Sequence, residues 1–253
     1  MSSRESAPPP GAVLIGASGR MGRAILVAAA QFPGLVFVGA IASKDSAVLG
    51  RDSGDLASGT PNHLPISADL GTVLPRAHVV IDFSTGQATR ENLRACCAAR
   101  KPLLIGATGF PSQLESDFAA AAREIPLLIA PNASPAVALL MELTRIAARA
   151  LPGFAAGITE THHREKRDAP SGTALSLAAA IGAATPIASV REGEVVGEHT
   201  VRFAGPGEEL TLTHRALKRD IFARGALAAA LWLSSQPAGR YEMRDVMGFK
   251  TVT

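Results

Sequence analysis

Ala12-Val13-Leu14-Ile15-Gly16-Ala17-Ser18-Gly19-Arg20-Met21-Gly22 sets four apolar residues directly against a glycine-rich turn. The apolar run reads as a short buried strand, and residues 23–32 after the turn read as a helix. Strand, turn and helix in immediate succession are what a dinucleotide site requires. Glycine permits the tight turn and lets the backbone approach a pyrophosphate, whose charge then sits at the helix N-terminus. The spacing is G-x-x-G-x-x-G, a variant of the common fingerprint, and it gains weight from standing at the start of an alternating chain.

Outward from that turn the alternation continues. Residues 35–42 read as the second strand, ending in Ala42-Ser43-Lys44. An NAD site would place an acidic residue there for the ribose 2′-hydroxyl. A lysine without a carboxylate favours a 2′-phosphate, hence NADPH, with NADH still possible; the competing reading is that Lys44 is a solvated loop residue. Residues 45–67 form a Gly/Ser/Asp-rich connection with one or two short elements. Strands follow over 77–83, 103–105 and 125–130, with helices over 87–99 and 114–123. Such alternation predicts a parallel sheet with right-handed crossovers, and ligands in such sheets bind beyond the carboxyl ends of the strands. Three of those ends carry small polar residues: Asp82-Phe83-Ser84-Thr85, Gly106-Ala107-Thr108-Gly109 and Pro131-Asn132-Ala133-Ser134.

Composition fits this class. Among 253 residues, 47% are hydrophobic and only 4% aromatic, so the core is built from Ala, Val, Leu and Ile. A net charge of +3 with no dense Lys/Arg run argues against nucleic acid and suits anionic small molecules. The only cysteines, Cys96 and Cys97, are adjacent, which suits neither a framework disulfide nor a zinc site and points to a reducing cytoplasm. On a predicted helix they read as small buried residues. Residues 1–10 are polar and Pro-rich and read as a disordered leader, and no segment reads as a membrane span.

The second half holds its own signal: Glu160-Thr161-His162-His163-Arg164-Glu165-Lys166-Arg167-Asp168-Ala169-Pro170-Ser171-Gly172-Thr173-Ala174. A strand ends in it and a helix over 173–184 leaves it. Ser171 reads as the N-cap, which puts Gly172 and Thr173 in a first turn that favours an anion. Lys166 and the histidines add cations and groups for proton transfer. A strand continuing through His162 and His163 would point them to opposite sides, so at most one is the proton donor and the other orients or binds. A helix over 137–150 precedes this stretch. Two antiparallel strands over 195–204 and 209–216, turned by Gly205-Pro206-Gly207, follow it, then an apolar helix over 222–234 and a tail over 243–249 that returns to the first domain.

Taken together, GASGRMGRAI (residues 16–25), DFST (82–85), IGATGF (105–110), APNAS (130–134), HHREKRDAPSGTA (162–174), VGEHTVRF (196–203) and FARGALAAALWL (222–233) resemble the 4-hydroxy-tetrahydrodipicolinate reductase family, long called dihydrodipicolinate reductases. The resemblance runs from Val13 to Phe249. It implies a Rossmann-like α/β dinucleotide-binding domain over 11–133 with 221–253. It also implies an α+β substrate-binding and oligomerisation domain over 134–220 whose sheet pairs subunits into a homotetramer. The implied reaction is NAD(P)H-dependent reduction of a cyclic dicarboxylate, with no metal, nucleic acid or membrane. His162 matches the family's proton donor/acceptor and Lys166 its proton-donating lysine; His163, Gly172 and Thr173 match substrate-binding positions. Gly16, Ala17, Ser18, Gly19, Arg20 and Met21, then Gly106, Ala107 and Thr108, then Ala130, Pro131, Asn132 and Ala133, match cofactor contacts. Ser43 and Lys44 fall where many members have Glu-Arg, and the segment before Val195 is shorter than in familiar members. Two other readings compete: a different two-domain nicotinamide dehydrogenase, which has no reason to keep HHREKRDAPSGTA, and a redox-sensing regulator, which needs a recognition module that the sequence lacks.

Overall fold

The structure, a computed structural model, describes residues 8–111 and 113–249. Residues 1–7 of the expected leader and 250–253 of the expected C-terminal segment lie outside the described residues. In chain order the strands are β1 (Gly11–Ile15), β2 (Val36–Ile41), β3 (Ile66–Ser67), β4 (Val79–Asp82), β5 (Leu103–Ile105), β6 (Pro126–Ile129), β7 (Ala155–His162), β8 (Ile187–Arg191), β9 (Gly197–Gly205), β10 (Glu208–Ala216) and β11 (Gly239–Tyr241). The α-helices are α1 (Arg20–Ala29), α2 (Ser53–Ser58), α3 (Leu70–Val73), α4 (Thr89–Ala98), α5 (Leu114–Ala121), α6 (Pro135–Ala150), α7 (Gly172–Ile181), α8 (Asp220–Leu233) and α9 (Met243–Val246).

One compact unit runs to Ala133 and takes back Phe222–Val246. Its sheet has the order β11-β6-β5-β4-β1-β2-β3 with every neighbour parallel. Every residue of β1, β4 and β5 is buried, as apolar runs covered on both faces should be. Below them Leu93 and Cys96 of α4 and Leu114, Phe118 and Ala121 of α5 fill one core cluster. Cys96 is buried as expected; Cys97 is only partly so, because it sits one residue round the helix. The order reverses between β1 and β4, the switch point at which such sheets open a crevice. After α8 the chain adds β11 beside β6, where Trp232 meets Tyr241 edge-to-face at 5.2 Å.

The other unit holds Ser134–Ile221 and residues 247–249. Its mixed sheet has the order β10-β9-β7-β8, antiparallel except for the β7/β8 pair. Leu140 and Ala147 of α6, Ala174 and Leu177 of α7, and Ile158, Val201 and Phe203 of the sheet form its core. Two helices on one face of a largely antiparallel sheet make an α+β layer.

Several expected boundaries move. The helix expected over 23–32 is α1: Gly19, extended at φ −74° and ψ 169°, lets it start at the glycine turn, and Pro33 lies just past its end. The helix expected over 173–184 stops at Ile181, because Gly182 takes the left-handed C-cap. Gly205 pairs with Glu208, so it belongs to β9 and the turn is Pro206-Gly207 alone. Finally, β7 ends at His162, so His163 starts the loop rather than occupying the opposite face of a strand.

Candidate active site

At the carboxyl edge of the parallel sheet, the Gly16 and Ala17 N–H groups both donate to the Ile41 carbonyl at 2.9 Å, which ties the glycine turn to the end of β2. Gly16 has φ +83°, and a Cβ there would lie 2.5 Å from the Phe83 carbonyl oxygen. A Cβ at Gly22 would lie 2.1 Å from the Gly16 oxygen, so α1 sits directly on the turn. No side chain caps α1 and no acid stands in its first turn. This backbone cradle fits a pyrophosphate: close approach without Cβ atoms, and the positive end of a ten-residue helix.

The neighbouring strand ends carry the other expected residues. Ser43 and Lys44 follow β2 and are exposed. Asp82 is buried at the end of β4: its Oδ1 accepts from the Ser84 N–H at 2.8 Å and its Oδ2 from Asn92 at 2.9 Å. Burial pushes its carboxyl upward and the Ser84 and Asn92 hydrogen bonds pull against it. Gly106, Ala107 and Thr108 follow β5, with the Gly106 N–H on the Asp82 carbonyl at 2.8 Å. Ala130, Pro131, Asn132 and Ala133 follow β6, with the Ala130 N–H on the Ile105 carbonyl at 2.8 Å. One sheet edge therefore gathers Gly16–Met21, Ser43, Lys44, Gly106–Thr108 and Ala130–Ala133, although they lie far apart in sequence.

In the other unit, two-residue alternation places Glu160 and His162 on the same face of β7. Glu160 is 0% exposed and His162 8%. Glu160 Oε2 pairs with His162 Nδ1. Glu160 Oε1 accepts from Arg191 Nη2 at 2.8 Å and from the Ser171 N–H at 3.3 Å. Arg191 stands opposite His162 in the β7/β8 register. Its guanidinium also donates to the Asp168 carbonyl at 2.6 Å and the Lys166 carbonyl at 3.3 Å. Ser171 caps α7, accepting from the Ala174 N–H at 3.2 Å, and its hydroxyl meets His199 Nε2 at 3.2 Å. The His199 ring, on β9 opposite Glu160, stands edge-on to His162 at 5.1 Å.

The electrostatics follow from these contacts. Burial would raise the Glu160 carboxyl, but hydrogen bonds from Arg191, Ser189 and His162 hold it down at about 2. Burial lowers His162 below its ordinary value; Glu160 pulls it up, and Lys166 and Arg191 push it further down. Burial holds His199 at about 4. The Lys166 ammonium donates to both Asp168 oxygens at 2.8 Å. Glu160, His162 and His199 bring ligand atoms within 4.8 Å of one another. The charge there is already balanced by Arg191, and both Glu160 oxygens already have hydrogen-bond partners.

The structure therefore brings His162, Lys166, Gly172 and Thr173 onto one strand end, loop and helix start, with His163 half-buried at the head of the loop. The sequence reading assigned no role to Glu160, Arg191 or His199. The i, i+2 spacing of Glu160 and His162 was a usable signal. Arg191 had none, because its place depends on the register of a strand that was not expected.

Family models described as the N-terminus and the C-terminus of dihydrodipicolinate reductase match residues 11–133 and 136–247. A relative from Anaeromyxobacter dehalogenans, named 4-hydroxy-tetrahydrodipicolinate reductase, is 42% identical, covering 94% of this chain and 97% of its own length. One of the same name from Syntrophotalea carbinolica is 39% identical, covering 93% and 97%. Among solved structures, a dipicolinate-bound dihydrodipicolinate reductase from Paenisporosarcina sp. TG-14 has the same fold, with TM-score 0.78 at 22% identity over 92% of this chain and 97% of that one.

Proposed function

The chain belongs to the dihydrodipicolinate reductase family, and from that premise we propose which residues carry the reaction. The chain is an oxidoreductase that uses a pyridine nucleotide. It reduces (S)-4-hydroxy-2,3,4,5-tetrahydrodipicolinate to tetrahydrodipicolinate in lysine and diaminopimelate biosynthesis. One hydride and one proton are taken up for each water released. The bound nicotinamide supplies the hydride. The protein's residues hold both ligands and deliver the proton that the enamine-like anion needs.

The unit built on the parallel sheet holds the dinucleotide. The turn Gly16–Met21 and the first turn of α1 take the pyrophosphate. Gly106–Thr108 and Ala130–Ala133 line the same edge and contact the rest of the cofactor. Ser43 and Lys44 stand where the adenosine ribose ends, and the lysine favours the 2′-phosphate of NADPH over NADH. Lys44→Ala is expected to weaken NADPH about tenfold, the scale of one lost charge-assisted contact, and to leave NADH nearly unchanged. Titration of both cofactors reads the difference, and equal losses overturn the phosphate assignment.

The α+β unit holds the dicarboxylate. His162 protonates the reduced ring. Lys166 serves the proton transfer and binds a carboxylate that competes with Asp168 for its ammonium. His163 and the helix-start groups at Gly172 and Thr173 bind carboxylate oxygens. The observation that carries this assignment is the buried, hydrogen-bonded His162 at the head of the loop that bears Lys166. His162→Gln is expected to cut turnover about 10²- to 10⁴-fold while NADPH binds as before; undiminished turnover of (S)-4-hydroxy-2,3,4,5-tetrahydrodipicolinate removes His162 from the proton role. The assembly we propose is a cytoplasmic homotetramer. Both outer strands of the mixed sheet, β10 and β8, have one open edge, and Leu210 and Val190 on them are exposed, so pairing between copies would bury them. Light scattering on the purified protein reads the mass, and a monomer would contradict it.

A further inference from the structure

We propose that Glu160, clamped by Arg191, is the positioning residue that sets the tautomer and aim of His162. The inference rests on the reading of His162 as the proton donor and adds to it.

Arg191 Nη2 and the Ser171 N–H can only donate, and both point at Glu160 Oε1, at 2.8 and 3.3 Å. That oxygen is therefore fixed as an acceptor. An ionised carboxylate is an acceptor at its other oxygen too, so Oε2 demands a proton on His162 Nδ1. The reactive end of the ring is then Nε2. The space beside Nε2 is kept clear by Gly197, where a Cβ would come within 3.0 Å of it.

Charge completes the case. The groups facing His162 are Glu160 on its own strand, Arg191 on β8, His199 on β9 and Lys166 in the loop. Three of these four are cationic or can become so, and Glu160 alone favours the imidazolium that a proton donor must pass through. When His162 gives its Nε2 proton to the substrate, the neutral ring keeps Nδ1–H on Glu160 and takes its next proton back at Nε2. Arg191 has a second task. The guanidinium that fixes Glu160 also holds the Asp168 and Lys166 carbonyls, so one side chain on β8 sets the proton donor and the loop bearing Lys166 together.

Glu160→Gln is a nearly isosteric test with a directional outcome. Arg191 and Ser171 keep the amide oxygen, which turns the amide NH₂ toward Nδ1. Nδ1 must then accept, and the neutral ring carries its proton on Nε2. Turnover is expected to fall about 10²- to 10⁴-fold, the share of a positioned acid–base group. Substrate KM and NADPH affinity should stay near wild type, and the basic limb of the kcat profile should move to lower pH. Nitrogen chemical shifts of labelled histidine should show Nδ1–H on His162 in the wild type and Nε2–H in the variant. Arg191→Met should lower turnover similarly, with Arg191→Lys recovering part of it; this pair also serves if the Gln variant does not fold. Unchanged turnover, pH profile and tautomer in Glu160→Gln, alongside a His162→Gln enzyme that is inactive, would overturn the proposal and leave His162 as the donor. A fully active His162→Gln enzyme would remove both.

Discussion

At position 197 a single hydrogen atom decides how much room His162 has. Gly197→Ala places a methyl 3.0 Å from Nε2 and 3.3 Å from Cδ2 of that ring, tighter than ordinary contact. The ring is held on its other side by Glu160, so it cannot swing away without breaking the Nδ1 hydrogen bond. The expected result is a fall in kcat of about tenfold or more, with NADPH affinity intact, measured by steady-state kinetics and cofactor titration. An unaffected kcat would mean that the reacting proton does not pass through Nε2. The role of Gly197 is not legible in the sequence, where VGEHTVRF reads only as an alternating strand. Glu160 was closer to legible, since any residue two before a histidine on a strand shares its face. His162 and Lys166 stand out in the sequence as candidates because so many titratable groups are crowded into fifteen residues.

Among the elements, α7 is where the proposed substrate binding and stability should be linked, through its cap. Ser171 closes the first turn by accepting from the Ala174 N–H, and its own N–H holds Glu160. Ser171→Ala is expected to cost about 1 kcal/mol of stability, as lost caps do, and to raise substrate KM because the N–H groups at Gly172 and Thr173 lose their fixed start. Ser171→Thr keeps the hydroxyl and should restore both. Thermal melts with substrate titration separate the two effects, and a KM that follows neither variant would detach the helix start from carboxylate binding. This cap was readable in the sequence, as were β1, β4 and β5, because strands covered on both faces are plain apolar runs. Strand β8 was not. Ile187-Ala188-Ser189-Val190-Arg191 has no fully buried residue and owes its strand form to pairing with β7. The three-residue β11 is likewise made by its neighbour β6 rather than by its own residues. Each of the two missed strands holds an arginine that bonds elsewhere in its unit: Arg191 to Glu160, and Arg240 to Glu115.

Over the whole molecule, the two units differ in how they should meet acid. His162, His199 and His214 all belong to the α+β unit, and burial lowers each of them, His199 to about 4. Unfolded, each takes its proton near the ordinary value of 6.5, so below that pH the unfolded chain binds more protons than the folded one. Stability is therefore complete above about pH 6.5 and declines as pH falls toward 4. The Glu160 carboxylate, held at about 2 against an ordinary 4.5, adds a second decline that begins below 4.5. Both act on the same unit, so calorimetry from pH 7.5 to 4.5 should show a falling transition temperature. His199→Gln should flatten the part of that fall between 6.5 and 4, since an amide has no proton to take up. A melting temperature that stays level from pH 7 to 5 would show that these histidines take up their protons in the folded protein at the same pH as in the unfolded chain. His162, the proposed proton donor, would then be mostly imidazolium below pH 6.5, and Arg191 and Glu160 would act on that charged ring.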